Sequence, residues 1–145
     1  MKKGVDYPGI TVCCFLHDGE GNVLLNKRSV NCRDEHGRWD ICGGGVEFGD
    51  TLEMTIRKEV AEEFGTDALE IEPLGYRDMH RVQEDGKKTH WIGLDFKVLI
   101  DKAKVVNNEP HKFDEVKWFP VSELPEPMHS QFPVFFAKYQ AQLVS

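Results

Sequence analysis

Glu59, Glu62 and Glu63 stand at spacings of three, one and four residues, and helical geometry brings such positions onto one face at about 100° of turn per residue. Three carboxylates this close resist ionising together, and a charge at the edge of an apolar stripe needs a partner. The residues Leu52, Ile56, Val60 and Phe64 form that stripe, and Glu63 falls between Leu52 and Ile56 on the wheel. A divalent cation answers both demands: hard oxygen ligands on a rigid element suit Mg²⁺ or Mn²⁺, and such a site keeps positions for phosphate oxygens. The segment just before points the same way. Gly43, Gly44, Gly45 and Gly49 allow close backbone approach to a ligand ahead of a helix N-terminus, which favours anions.

These residues resemble the Nudix hydrolase box, G-x5-E-x7-R-E-U-x-E-E-x-G-U, where U is apolar. Gly44 takes the first glycine, Glu59 the glutamate after the arginine position, Val60 the apolar position, Glu62 and Glu63 the acidic pair, and Gly65 the closing glycine. Three positions depart: Asp50 replaces glutamate, Lys58 replaces arginine and Thr66 an aliphatic residue. The resemblance implies metal ligation by Glu59, Glu62 and Glu63 with a backbone carbonyl at Gly43 or Gly44, and a supporting pair of Asp50 with Lys58. Lysine cannot supply the bidentate fork of arginine. Asp50 also reads as the N-cap of the helix, with Glu53 completing a capping box.

The run Val23-Leu24-Leu25-Asn26-Lys27-Arg28 resembles the family strand that ends in a phosphate-binding arginine, which makes Arg28 a substrate contact. Trp39 and Phe48 are further candidates to flank the cleft, while Arg33, His36 and Arg38 read as a solvated polar loop. Later, Glu109-Pro110-His111-Lys112 with Trp118 and Pro120 resembles the E-P-x-K segment of a branch acting on nucleoside triphosphates, which brings in Glu109. The implied reaction is hydrolysis of a nucleoside diphosphate linked to a further group, with a nucleoside triphosphate first and ADP-ribose or a nucleotide sugar as alternatives. A Nudix-fold module that binds a nucleotide without turnover is the competing class.

These residues need elements to position them. Strands are expected at Ile10 to Leu16 and Val23 to Lys27, joined by the turn Asp18-Gly19-Glu20-Gly21-Asn22, and at Trp39 to Cys42. The acidic helix spans Thr51 to Phe64 and stops at Gly65. A long hairpin follows, Leu69 to Val82 with Thr89 to Ile100, then a loop to about Glu115 and a strand at Val116 to Phe119. Pro133 opens a last helix capped by Ser130, whose Phe132, Phe135, Phe136 and Tyr139 keep core spacing. His80 and His90 in the hairpin read as ordinary strand residues. Two helices against a mixed sheet give an α/β/α sandwich, the Nudix-type fold, as one domain over residues 1–145.

Composition sets the outer limits. The chain has 145 residues, 40% of them hydrophobic and 30% charged, in keeping with a globular domain that buries a full core. A net charge of −7 argues against non-specific nucleic-acid binding, which clustered Lys and Arg drive. There is no apolar run of bilayer length and no signal-peptide pattern, so a cytoplasmic protein with no membrane partner is expected. Cys13, Cys14, Cys32 and Cys42 lack metal-ligand spacing and read as structural thiols. The resemblance also admits a homodimer.

Overall fold

The computed structural model describes residues 1–145. Its elements run β1 (Gly9–His17), β2 (Asn22–Arg28), β3 (Trp39–Asp40), β4 (Cys42–Gly45), α1 (Leu52–Phe64), β5 (Ala68–Val82), β6 (Lys88–Ile100), β7 (Phe113–Pro120) and α2 (Phe132–Leu143). The sheet is mixed, in the order β3-β2-β1-β6-β5, with β4 added to β1 and β7 to β2. β1 runs parallel to β6 from Gly9 with Trp91 to His17 with Leu99, while β5 and β6 form the long antiparallel hairpin.

Period-two alternation in β1 and β2 builds a core on each face. Val12, Cys14, Leu16 and Leu24 pack with Ile56, Val60 and Phe64 of α1 on one side. Phe15, Val23 and Leu25 pack with Phe132, Phe135, Tyr139 and Leu143 of α2 on the other. This is the expected α/β/α sandwich. No helix is long and apolar enough to cross a membrane.

The β1–β2 turn forms as its sequence predicts. Gly19 and Gly21 both have positive φ, and the Asp18 carboxylate accepts from the Glu20 and Asn22 amides at 2.8 and 3.2 Å. Beyond it, β1 and β2 pair at His17 with Val23 and then take different neighbours, β4 for β1 and β3 with β7 for β2. Splaying of these two strands opens a cleft in the middle of the sheet.

Several local expectations are corrected. The segment Trp39 to Cys42 is two short strands, because Trp39 and Asp40 pair with β2 whereas Cys42 to Gly45 pair with β1. Thr51, not Asp50, caps α1: its hydroxyl accepts from the Met54 amide at 3.1 Å, and Glu53 pairs with Arg57 at 2.9 Å instead of closing a box. Leu52 lies in the first turn, 37% exposed, so the buried stripe starts at Ile56. Ser130 does not cap α2. Gln131 holds that position without a side-chain bond, and the Ser130 amide is taken by Glu35 at 2.6 Å. Gly65 does stop α1, with φ 66 and its amide on Ala61 O.

Candidate active site

The acidic face of α1 lies against the β4 glycines at one mouth of the cleft. Val12 pairs with Gly44 across β1 and β4, and the Thr11 hydroxyl donates to the Gly44 carbonyl at 3.0 Å. The Glu59 side chain occupies the space that a side chain at 44 would need, for a Cβ on Gly44 would stand 2.3 Å from the Glu59 carboxyl carbon. This close approach accounts for glycine at that position.

The three glutamates differ in burial. Glu63 is 4% exposed, Glu59 is half-buried and Glu62 faces solvent. Burial pushes the Glu63 carboxyl up to about 7, against the opposing pull of Lys112 and the Cys42 thiol. Burial, then the Glu62 charge, raises Glu59 as well. Cys42 Sγ donates to Glu63 Oε1 at 3.3 Å, and Lys112 Nζ stands 3.6 Å from Glu63 Oε2. The buried Cys42 thiol is thus turned to the acidic cluster, and all four cysteines are free.

The loop after β6 completes the mouth. Val106 and Asn108 amides bond the Phe64 and Glu63 carbonyls at 2.9 and 3.1 Å, tying the loop to the end of α1. Glu109 and Lys112 follow, and the Glu109 charge is close enough to raise both Glu59 and Glu63. The loop after β2 is stitched on in turn: Ser29 N bonds Lys112 O at 2.8 Å and Asn31 Nδ2 bonds His111 O at 2.9 Å.

Inside, the cleft encloses about 360 Å³ and presents cations along its walls, including Arg28, Arg33, Arg77, Arg81 and Lys112. Most are already matched. Arg28 contacts Asp34 at 3.1 Å and Asp40 at 3.5 Å, and Arg81 contacts Asp34 at 3.4 Å. Arg77 makes a bidentate pair with buried Asp95 at 2.8 and 2.9 Å, and the Tyr139 hydroxyl donates to the same carboxylate at 2.6 Å. Arg33 alone of the cleft arginines has no carboxylate within ion-pair distance. Two buried polar atoms without partners, Asn26 Oδ1 and Arg77 Nη1, belong to side chains of this lining.

The structure therefore brings Glu59, Glu62, Glu63, Gly43, Gly44, Glu109 and Arg28 to one region, with Arg28 neutralised by two acids. Trp39 is elsewhere: it is 7% exposed and packs edge-on against Phe119 at 4.9 Å, in the α2-side core. Phe48 projects fully into solvent. Asp50 and Lys58 form no ion pair, and the salt link of the helix is Glu53 with Arg57. The residues that sequence reasoning passed over are Arg77 and Arg81, which with Met79 form an i, i+2, i+4 row on one face of β5. That alternation was a usable signal.

Residues 7–139 match the NUDIX domain family. The chain belongs to the Nudix family. Among its relatives is the nucleoside triphosphatase NudI of Klebsiella pneumoniae (strain 342), 32% identical over 120 residues, 79% of this chain and 84% of that protein. NudI of Enterobacter sp. (strain 638) is 34% identical over 115 residues, covering 74% of this chain and 79% of its own length. Of the solved structures, the MutT NUDIX hydrolase of Burkholderia pseudomallei shares the fold at a TM-score of 0.76 and 21% identity, over 92% of this chain and 98% of its own. The NUDIX domain of Shewanella oneidensis NrtR, solved in complex with ADP ribose, aligns at 0.67 and 21%, over 99% and 90%. As a Nudix hydrolase the chain is an enzyme acting on a pyrophosphate bond, and Nudix hydrolases use a divalent metal. The donor set fits that requirement: hard carboxylate oxygens, one of them buried with Lys112 as its one cationic neighbour, clustered beside a side-chain-free backbone at Gly44.

Proposed function

We propose that this Nudix hydrolase cleaves a nucleoside triphosphate, with Mg²⁺ or Mn²⁺ held by Glu59, Glu62 and Glu63 and the carbonyl of Gly43 or Gly44. The observation that carries the reading is the buried Glu63 carboxylate, packed with Glu59 against the β4 glycines at the mouth of an arginine-lined cleft. The relatives named nucleoside triphosphatase support the choice of substrate class.

Water attacks one phosphorus of the pyrophosphate, a P–O bond breaks, and the leaving phosphate or pyrophosphate carries away the bonding pair. A divalent metal held by these carboxylates would supply neutralisation of phosphate charge and a more acidic water. Everything else falls to the chain. Phosphoryl and nucleotidyl transfers depend on positioning and charge more than on covalent help. Arg33, free of acid partners, and Lys112, beside Glu63, hold the phosphates. Arg28 acts mainly by fixing Asp34 and Asp40. A carboxylate of the cluster, Glu109 included, takes the proton of the attacking water. The interior of the cleft, with its unmatched Asn26 and Arg77 atoms, takes the nucleoside.

The unpaired Asp50 and Lys58 motivate a second reading, a nucleotide sensor that has lost turnover. One experiment separates the two: release of phosphate or pyrophosphate from nucleoside triphosphates, ADP-ribose and nucleotide sugars, with Mg²⁺, with Mn²⁺ and with EDTA. Metal-dependent turnover of a triphosphate is expected. Nucleotide binding without turnover of any substrate would establish the sensor instead.

A further inference from the structure

The same alternation that turns Arg77, Met79 and Arg81 into the cleft turns Asp78 and His80 to the opposite face of β5. Across the hairpin, His90 stands directly opposite His80, and Asp78 lies one same-face step away, opposite Ile92. The ligand atoms of Asp78, His80 and His90 all lie within 4.8 Å of one another. His90 Nε2 is 3.2 Å from Asp78 Oδ1, and the two imidazole rings stack at 4.1 Å between centroids. We propose that Asp78, His80 and His90 form a second metal site, separate from the acidic helix, that takes an imidazole-preferring divalent ion of the Zn²⁺, Co²⁺ or Ni²⁺ class.

The chemistry of the donors decides the class. Two imidazoles and one carboxylate suit borderline ions, whereas Mg²⁺ and Ca²⁺ want oxygen throughout. Donors bound at about 2.1 Å to one tetrahedral Zn²⁺ lie about 3.4 Å apart, so this set, within 4.8 Å as it stands, must draw in by up to about 1.4 Å. One ring of the stack must also turn about its Cβ–Cγ bond to bring both nitrogens onto the ion. The surface position makes that turn cheap: Asp78 and His80 are exposed and the His90 side chain is 35% exposed.

The backbone beneath is well fixed. The His90 amide donates to Gly4 O at 2.8 Å, and the indole of the next residue, Trp91, packs against Gly4 and Gly9. A shallow cavity of about 270 Å³, bordered by Tyr7, Lys88, His80 and His90, adjoins the two histidines and leaves room for water or a further ligand on the ion. A metal here would staple β5 to β6 near the hairpin turn.

The test is a calorimetric titration of ZnCl₂ into the whole protein in excess Mg²⁺, which keeps the hard-oxygen site of α1 filled. Wild type is expected to bind one Zn²⁺ at micromolar affinity, with a rise in Tm. His80→Ala and His90→Ala should each weaken binding by at least ~10²-fold, as loss of a ligand exceeds loss of a supporting partner. Both variants should keep wild-type nucleotide hydrolysis, which reports folding directly. If either alanine variant is poorly folded, His80→Gln and His90→Gln keep size and polarity for the same comparison. Absence of saturable Zn²⁺ binding by wild type would overturn the proposal, as would binding that survives the loss of both histidines. Zn²⁺ binding abolished by Glu63→Gln but not by His80→Ala would assign the ion to the acidic helix and equally overturn it.

Discussion

Gly44 and Glu59 are fitted to each other, because the carboxyl of one fills the space a side chain on the other would take. Gly44→Ala is therefore expected to push the Glu59 carboxylate aside, cutting turnover at least ~10-fold while costing little stability, since a flexible side-chain end can yield. Steady-state kinetics alongside urea denaturation would check both parts. Arg33 is the cleft arginine without an acid partner, so its charge is available to a phosphate. Arg33→Ala should raise KM about 10-fold with kcat within about twofold, the signature of binding lost equally from ground and transition states. An unchanged KM would remove Arg33 from the site. At this scale the sequence showed the glutamates and glycines, whose spacing is local. It did not show which cation was free, because Asp34, Asp40 and Asp95 neutralise Arg28, Arg81 and Arg77 through contacts between separate elements. For the same reason the burial of Trp39 against Phe119 and the Lys112–Glu63 contact had no local signature.

Elements were legible where hydrophobic period and turn chemistry agree. The β1–β2 hairpin, the long β5–β6 hairpin and the aromatic face of α2 all form close to the expected positions. Ends were less legible, because two neighbouring cap-forming residues compete. At α1 the adjacent pair Asp50-Thr51 offers two caps, and Thr51 takes the Met54 amide. Thr51→Ala should cost about 1 kcal/mol and Asp50→Ala much less, measured by urea denaturation. A larger loss at Asp50 would return the cap to that residue. The short strands β3 and β4 were merged in sequence because a change of pairing partner leaves no periodicity. Such pairing also sets how α2 meets the sheet. Asp95 of β6 binds Arg77 of β5 and Tyr139 of α2 together, and its burial makes that three-way link hard to break singly.

Over the whole molecule the acidic site opposes stability in the absence of metal. Burial lifts the Glu63 carboxyl to about 7 from an ordinary value near 4.5, so the folded chain keeps a proton that the unfolded chain releases between those pH values. Stability in EDTA should therefore fall as pH rises through that window and level off above it, by on the order of 3 kcal/mol from this one group. Asp40 and Glu59, also raised, act in the same direction, while the lowered His17 acts against it. Denaturation of metal-free wild type and Glu63→Gln on either side of the window isolates the Glu63 contribution: the variant should lose most of the slope. The fold that sets this burial was readable in outline from the box and the two-helix pattern, and the NUDIX match over residues 7–139 agrees. The most direct test of the whole account is turnover of a nucleoside triphosphate by Glu63→Gln at saturating Mg²⁺ or Mn²⁺, with circular dichroism as the folding control. A fall of at least ~10²-fold in kcat with the fold intact is predicted for loss of a metal-holding carboxylate. Turnover near that of wild type would contradict the assignment of the acidic face of α1 as the catalytic centre.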